Sequence, residues 1–471
     1  MKKCILLFSI LSLSLIPLKA QKYEITIRME QPKDSVLYLA QHFRDQFIFI
    51  DSAQLNNNVF TFKGRQKLQK GIYTLVDASK KKSISDFTID GKTKFSLYFD
   101  KTLRPEGVTV KGCDANKQMF NYMAKNSVAR VEMKEIEQQQ KSKNATTKQI
   151  ADRAADSLTK AMIAYQDSMM LKYNEFIFFK LQKEFDIENV PDSIKDKASY
   201  YRTHYWDKID LSNHDLIYTP DLFQKMNYYF FRILYHSDAD TICKYADIVL
   251  DKVENDSTMM RYFMDFIMPR YYKSTKNIGW DQVWCHLVRR YYEPNKSHFT
   301  TNSDVVSKVK QAAFLEKSLI GALGAELLMP DTNQSSDINN WISSHKLPYK
   351  YVILWFWDPD CHHCQEQTAT LKTLYDSLSI AGTRDFEVYA VGYESDVDKW
   401  KTYIKEHQLP FVNVGGPNVN IDYQEAYNVH GAPTMIILNE ERRIIMNKTL
   451  PTSSILPFLR DYEQKRSIGR R

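Results

Sequence analysis

Seven consecutive apolar residues, Tyr351 to Trp357, lead through Asp358-Pro359-Asp360 into Cys361-His362-His363-Cys364, and a helix-patterned stretch from Gln365 to Leu378 follows at once. A strand without polar alternation has to be covered on both faces, which predicts a central strand of a sheet flanked by helices. The pattern downstream agrees. Phe386 to Tyr393 reads as a strand, Val397 to Gln408 as a helix, and Phe411 to Val414, Thr434 to Leu438 and Arg443 to Asn447 as further strands. Ile421 to Tyr427 and Ser453 to Tyr462 read as helices, with Asn439-Glu440 as a hairpin turn. Strands alternating with helices predict an α/β domain over residues 325–471.

Upstream the texture changes twice. From Tyr23 to Lys111 short alternating runs (Tyr23 to Arg28, Ser35 to Ala40, Val59 to Phe62, Ile72 to Val76, Phe95 to Phe99, Val108 to Val110) are separated by turn signals such as Asn56-Asn57-Asn58 and Asp90-Gly91. This predicts a small antiparallel, sandwich-like β domain over residues 21–112. Between residues 113 and 324, Gly and Pro are sparse and alternation disappears, which predicts an all-α domain. Met133 to Gln166, rich in charge and poor in large apolar groups, reads as a solvated long helix or helical hairpin. The aromatic clusters at Tyr173 to Phe179, Tyr228 to Phe231 and Tyr262 to Tyr272 read chiefly as helix packing, the alternative being a groove for a peptide. The expected whole is multidomain α+β: a β-sandwich-like domain, an all-α domain and a C-terminal α/β domain.

The chain opens with Lys2 and Lys3, an apolar stretch from Ile5 to Ile16, and Pro17-Leu18-Lys19-Ala20, the layout of a secretory signal peptide cut after Ala20. Cys4 precedes the apolar run and so does not suit a lipid anchor. No later segment has the roughly 18 apolar residues of a membrane helix, so no integral membrane segment is expected after signal removal. The expected location is periplasmic, or otherwise exported in a Gram-negative cell envelope. Removing Lys2, Lys3 and Lys19 lowers the formal charge from +7 to +4, and the remaining Lys and Arg are scattered among acids, which argues against a nucleic-acid partner. Beyond the pair at 361 and 364, Cys113, Cys243 and Cys285 are far apart in sequence, unlike a structural disulfide framework. They read as buried small residues, or as one structural pair with a leftover thiol.

Two cysteines three apart at a helix start can close a disulfide with little rearrangement. The first sits where helix N–H groups and the helix dipole favour a thiolate. Cys361 is therefore the expected nucleophile and Cys364 the resolving thiol, with His362 and His363 tuning the thiolate. A zinc site is the competing reading, but adjacent histidines cannot both reach one metal beside the flanking cysteines, and His345, His407 and His430 supply no second cluster. No metal and no dissociable cofactor are expected.

The run Trp355-Phe356-Trp357-Asp358-Pro359-Asp360-Cys361-His362-His363-Cys364 resembles the active-site strand and turn of the thioredoxin superfamily, especially the secreted branch related to TlpA and ResA; Gly431-Ala432-Pro433-Thr434 adds to the likeness. The resemblance covers roughly Ala325 to Tyr462 and implies a cis peptide at Pro433, with Ala432 and Pro433 binding the substrate chain. The two preceding regions are similar to uncharacterised β and helical domains that accompany such domains in exported proteins, a weaker likeness carried by Asp114-Ala115-Asn116 and Leu315 to Ile320. Three positions depart from the family: Gln367 stands where a proton-handling glutamate is common, Ala369 replaces a helix-kinking proline, and Trp355 occupies the place of a buried acid. Glu366 is near, but its helical phase differs from that of Gln367 by about 100°. His363, just before the second cysteine, is a feature shared with DsbA and protein disulfide isomerase, whose potentials are about −120 and about −180 mV against about −270 mV for thioredoxin. This implies a potential more oxidising than thioredoxin's, an effect that the charge of Asp360 opposes. The implied function is a thiol:disulfide oxidoreductase whose partners are protein thiols or disulfides and a redox donor or acceptor. The alternative is a binding or scaffold protein of the cell envelope with a vestigial or structural cysteine pair.

Overall fold

The computed structural model describes residues 23–185, 190–272, 279–293, 298–331, 341–393, 396–415 and 420–467; the expected signal peptide, residues 1–20, lies outside them. The chain divides into two compact units, Met1–Ile233 and Leu234–Arg471.

The first unit begins with eight strands: β1 (Tyr23–Met29), β2 (Val36–Phe43), β3 (Gln46–Gln54), β4 (Val59–Gly64), β5 (Gly71–Val76), β6 (Ser83–Ile89), β7 (Lys94–Phe99) and β8 (Val108–Lys111). They form two four-stranded sheets, ordered β4-β1-β7-β8 and β3-β2-β5-β6. Alternate residues of β1 are buried, and Ile25, Ile27, Phe60 and Leu97 of one sheet share a core with Leu39, Leu75 and Phe87 of the other. The sandwich is not wholly antiparallel as expected, because β1 and β7 pair in parallel. Next come the helices α1 (Asp114–Gln140), α2 (Ala145–Lys172), α3 (Ile177–Glu184), α4 (Lys197–His204) and α5 (Pro220–Tyr228). The first two form the expected hairpin. Asn144 caps α2 by accepting from the N–H groups of Thr146 and Thr147 at 2.9 and 3.2 Å. Buried Asn116 ties α1 to β6, accepting from the Thr88 N–H at 2.7 Å and donating to its carbonyl at 2.9 Å.

The second unit opens with α6 (Ala239–Lys252), α7 (Ser257–Tyr271), α8 (Trp280–Leu287) and α9 (Asn302–Glu316). Tyr262, Phe263, Phe266 and Tyr271 are buried, as the packing reading expects. There follow β9 (Leu328–Pro330), β10 (Trp341–Ser343), β11 (Tyr351–Trp357), α10 (His362–Ile380), β12 (Phe386–Gly392), α11 (Val397–His407), β13 (Val412–Val414), α12 (Tyr423–Tyr427), β14 (Thr434–Leu438), β15 (Ile444–Met446) and α13 (Thr452–Ser467). A five-stranded sheet runs β13-β12-β11-β14-β15, with β12 and β13 parallel to β11 and β14 antiparallel to it. All seven residues of β11 are buried because both faces are covered. Tyr351, Ile353, Trp355 and Trp357 pack with α10, α11 and α13, whereas Val352, Leu354 and Phe356 pack with Met329 and Tyr427.

Candidate functional site

The central strand ends at Trp357, and a tight turn carries the chain into α10 with Cys361 as its N-cap. The Cys361 sulfur accepts a hydrogen bond from the Cys364 N–H at 3.3 Å, so a helix-start donor points at the atom that would carry charge as a thiolate. Cys361 is half-buried and Cys364 is fully buried; both are thiols here. Burial, followed by the contact with Cys361, pushes the Cys364 thiol up to about 12. The two cysteines are therefore unequal by position: one can meet a partner, and the other waits in the core.

Opposite them, the Ala432–Pro433 peptide is cis. The Ala432 carbonyl lies 3.8 Å from the Cys361 sulfur, which brings the loop before β14 against the helix start. Thr449, just beyond β15, clamps that loop: its hydroxyl donates to the Pro433 carbonyl and accepts from the Met435 N–H, each at 3.2 Å. No sequence pattern singles out Thr449, since its role depends on the hairpin register of β14 and β15.

His362 and His363 are largely exposed and turn toward Glu366, at 3.2 and 3.5 Å. Glu366 thus faces the imidazoles, in keeping with its helical phase. Asp360 pairs with Lys399 at 3.1 Å, both exposed, so the carboxylate beside the nucleophile has a cationic neighbour that the sequence did not indicate. Trp355 donates its indole N–H to Thr368 Oγ1 at 3.0 Å within the core. The Gln367 Oε1 atom is buried without a hydrogen bond among the described residues. Cys113, Cys243 and Cys285 are buried thiols, the last two also pushed up to about 12 by burial.

Residues 349–444 match the family model described as thioredoxin-like. Residues 23–119 and 129–318 each match a domain of unknown function, DUF4369 and DUF5106 respectively. No curated protein matches. Among solved structures, the chain is similar to a thioredoxin-like protein from Bacteroides caccae at 17% identity and a TM-score of 0.46, covering 59% of this chain and 98% of that one. It is also similar to a thiol:disulfide interchange protein from a Bacteroides species at 19% identity and a TM-score of 0.25, covering 31% and 92%. The thioredoxin domain of a thiol-disulfide oxidoreductase from Bacteroides vulgatus is matched at 19% identity and a TM-score of 0.25, covering 30% and 96%. The sheet order, the cysteine-led helix and the family match together identify residues 349–444 as a thioredoxin-like domain, preceded by two domains of the unknown-function families.

Proposed function

We propose that the protein is an exported thiol:disulfide oxidoreductase that exchanges disulfides with protein substrates through Cys361 and Cys364. The observation that carries this reading is the asymmetry of the pair: a half-buried sulfur receiving a helix-start N–H at 3.3 Å, beside a fully buried thiol. The Cys361 thiolate attacks one sulfur of a substrate disulfide, that S–S bond breaks, and the departing sulfur takes up a proton. Cys364 then gives up its proton and attacks the Cys361 sulfur. The second substrate thiol is released, two electrons have passed to the substrate, and a Cys361–Cys364 disulfide remains for an external dithiol to reduce. The same steps in reverse oxidise a substrate dithiol. Ala432 and Pro433 are the proposed seat of the substrate backbone, and His362 and His363, which lie 3.2 and 3.5 Å from Glu366, the proposed tuners of the thiolate.

The proposed organisation is a signal peptide over residues 1–20, a β domain over 21–112, a helical domain over 113–324 and a thioredoxin-like domain over 325–471, with export to the periplasm or another part of the cell envelope. The test is insulin reduction by the full chain with dithiothreitol as donor, together with Cys364→Ser, which should accumulate a mixed disulfide through Cys361. Absence of both signals would leave the pair without an exchange function and favour the binding or scaffold reading.

A further inference from the structure

Lys448 lies between β15 and α13 with its ammonium 2.7 Å from Asp281 Oδ2, and the two side chains are 17% and 5% exposed. Asp281 stands in the first turn of α8, where unpaired helix N–H groups favour a carboxylate. Its other oxygen, Oδ1, is buried without a hydrogen bond among the described residues, so Lys448 is the partner that compensates this buried charge. Such a pair holds its geometry closely, because sliding apart would leave two charges poorly solvated. The residue after Lys448 is Thr449, whose hydroxyl clamps Pro433 and Met435, and the Ala432 carbonyl in turn faces the Cys361 sulfur. A second tie runs beside the first, from Asn447 Nδ2 to the Ser318 carbonyl at 3.0 Å.

We infer that Asp281 is a positioning residue for the loop at Ala432–Pro433, through which the helices of residues 234–316 set how a polypeptide docks beside Cys361; this rests on the disulfide-exchange reading above. The contacts run from α8 through Asp281, Lys448 and Thr449 to the loop that meets the nucleophile, each link being a named hydrogen bond, ion pair or adjacent residue. The loop's proposed work is to seat the substrate backbone, whereas the N–H that points at the Cys361 sulfur comes from Cys364 and does not depend on the loop. Loosening it should therefore penalise a polypeptide disulfide more than a small one.

The full chain with Asp281→Asn is compared with wild type on insulin and on 5,5′-dithiobis(2-nitrobenzoate), with thermal unfolding followed in parallel. A positioning role predicts a KM for insulin raised about tenfold, since small misplacements of a docking surface are costly, with the rate toward the small disulfide unchanged. Lys448→Arg, which keeps the pair, should retain the wild-type KM. Thr449→Val removes the clamp without stranding a buried charge, should show the same selective loss, and decides the matter if Asp281→Asn does not fold. An insulin KM within twofold of wild type in folded Asp281→Asn or in Thr449→Val, or equal losses on both disulfides, would overturn the inference. Wild type inert toward insulin would instead remove the exchange reading itself.

Discussion

Cys361 and Cys364 differ by three positions in sequence and by their whole surroundings in space. An acid whose folded-state value lies above its ordinary value of 9.0 stays protonated further into the alkaline range, so the Cys364 thiol should remain neutral until the pH approaches about 12. Cys243 and Cys285 follow the same rule. In the reduced protein, iodoacetamide at pH 8 should mark Cys361 and spare Cys364, Cys243, Cys285 and the likewise buried Cys113, as peptide mapping by mass spectrometry would read. Label at Cys364 equal to that at Cys361 would remove the assigned nucleophile. The pair was legible in the sequence because a buried-type strand led straight into it. The positions around it were less so: Trp355 donates to Thr368 where the family resemblance implies an acid, and Glu366 faces two imidazoles, details that depend on rotamers which no spacing encodes.

Among the elements, legibility followed patterning. The hairpin of α1 and α2 could be read from charge and the lack of large apolar groups, and β11 from seven unbroken apolar residues. By contrast β3 is mostly exposed, and β6 carries Ser83, Ser85 and Asp86, so neither gave a two-residue alternation and both went unread. The parallel pairing of β1 with β7 was hidden because periodicity reveals faces and never partners. Helix α5 carries a consequence of its own. Asp221, in its first turn, is half-buried and lines a cavity of about 600 Å³ together with Asp86, Met119, Gln166 and Phe178. Burial, with a smaller push from Asp86 and against the pull of its own N–H and of His42, raises its carboxyl from 3.8 to about 6. A raised folded-state value means that the ionised form costs stability: the cost is absent below about pH 3.8, grows as the pH rises through about 6, and is complete above it. Asp221→Asn should therefore stabilise the first unit by about 1–3 kcal/mol at pH 7.5 and by almost nothing at pH 4. Hydrogen exchange of the α5 amides at the two pH values checks both halves, and a variant destabilised at pH 7.5 would show that the charge is compensated.

On the scale of the whole molecule, the second unit solves a problem that its sheet order creates. β15 is the last strand of the five, and an open edge offers unpaired N–H and carbonyl groups to any other chain. Here the segment after α9 covers it: Gly321 N–H donates to the Ile444 carbonyl at 2.7 Å, Ile444 N–H to the Ala322 carbonyl at 2.8 Å, and Gly324 N–H to the Arg442 carbonyl at 2.9 Å. The sequence could not show this, since Ser318 to Gly324 has neither strand alternation nor helical period. A fragment begun at Ala325 discards all three bonds, whereas one begun at Lys317 keeps them. Both lack Asp281 and both retain every element around Cys361, while the longer fragment also keeps the bonds from Asn447 to the Ser318 carbonyl and from Arg443 to the Gly321 carbonyl. At about 0.5–1.5 kcal/mol net for each bond, loss of the three edge bonds alone should make the shorter fragment less stable by roughly 1.5–4.5 kcal/mol. Its bare edge should also make it self-associate, while the longer fragment stays monomeric in light scattering. If the two unfold at the same urea concentration and neither associates, the cover on β15 contributes nothing, and the thioredoxin-like domain is complete from Ala325 onward.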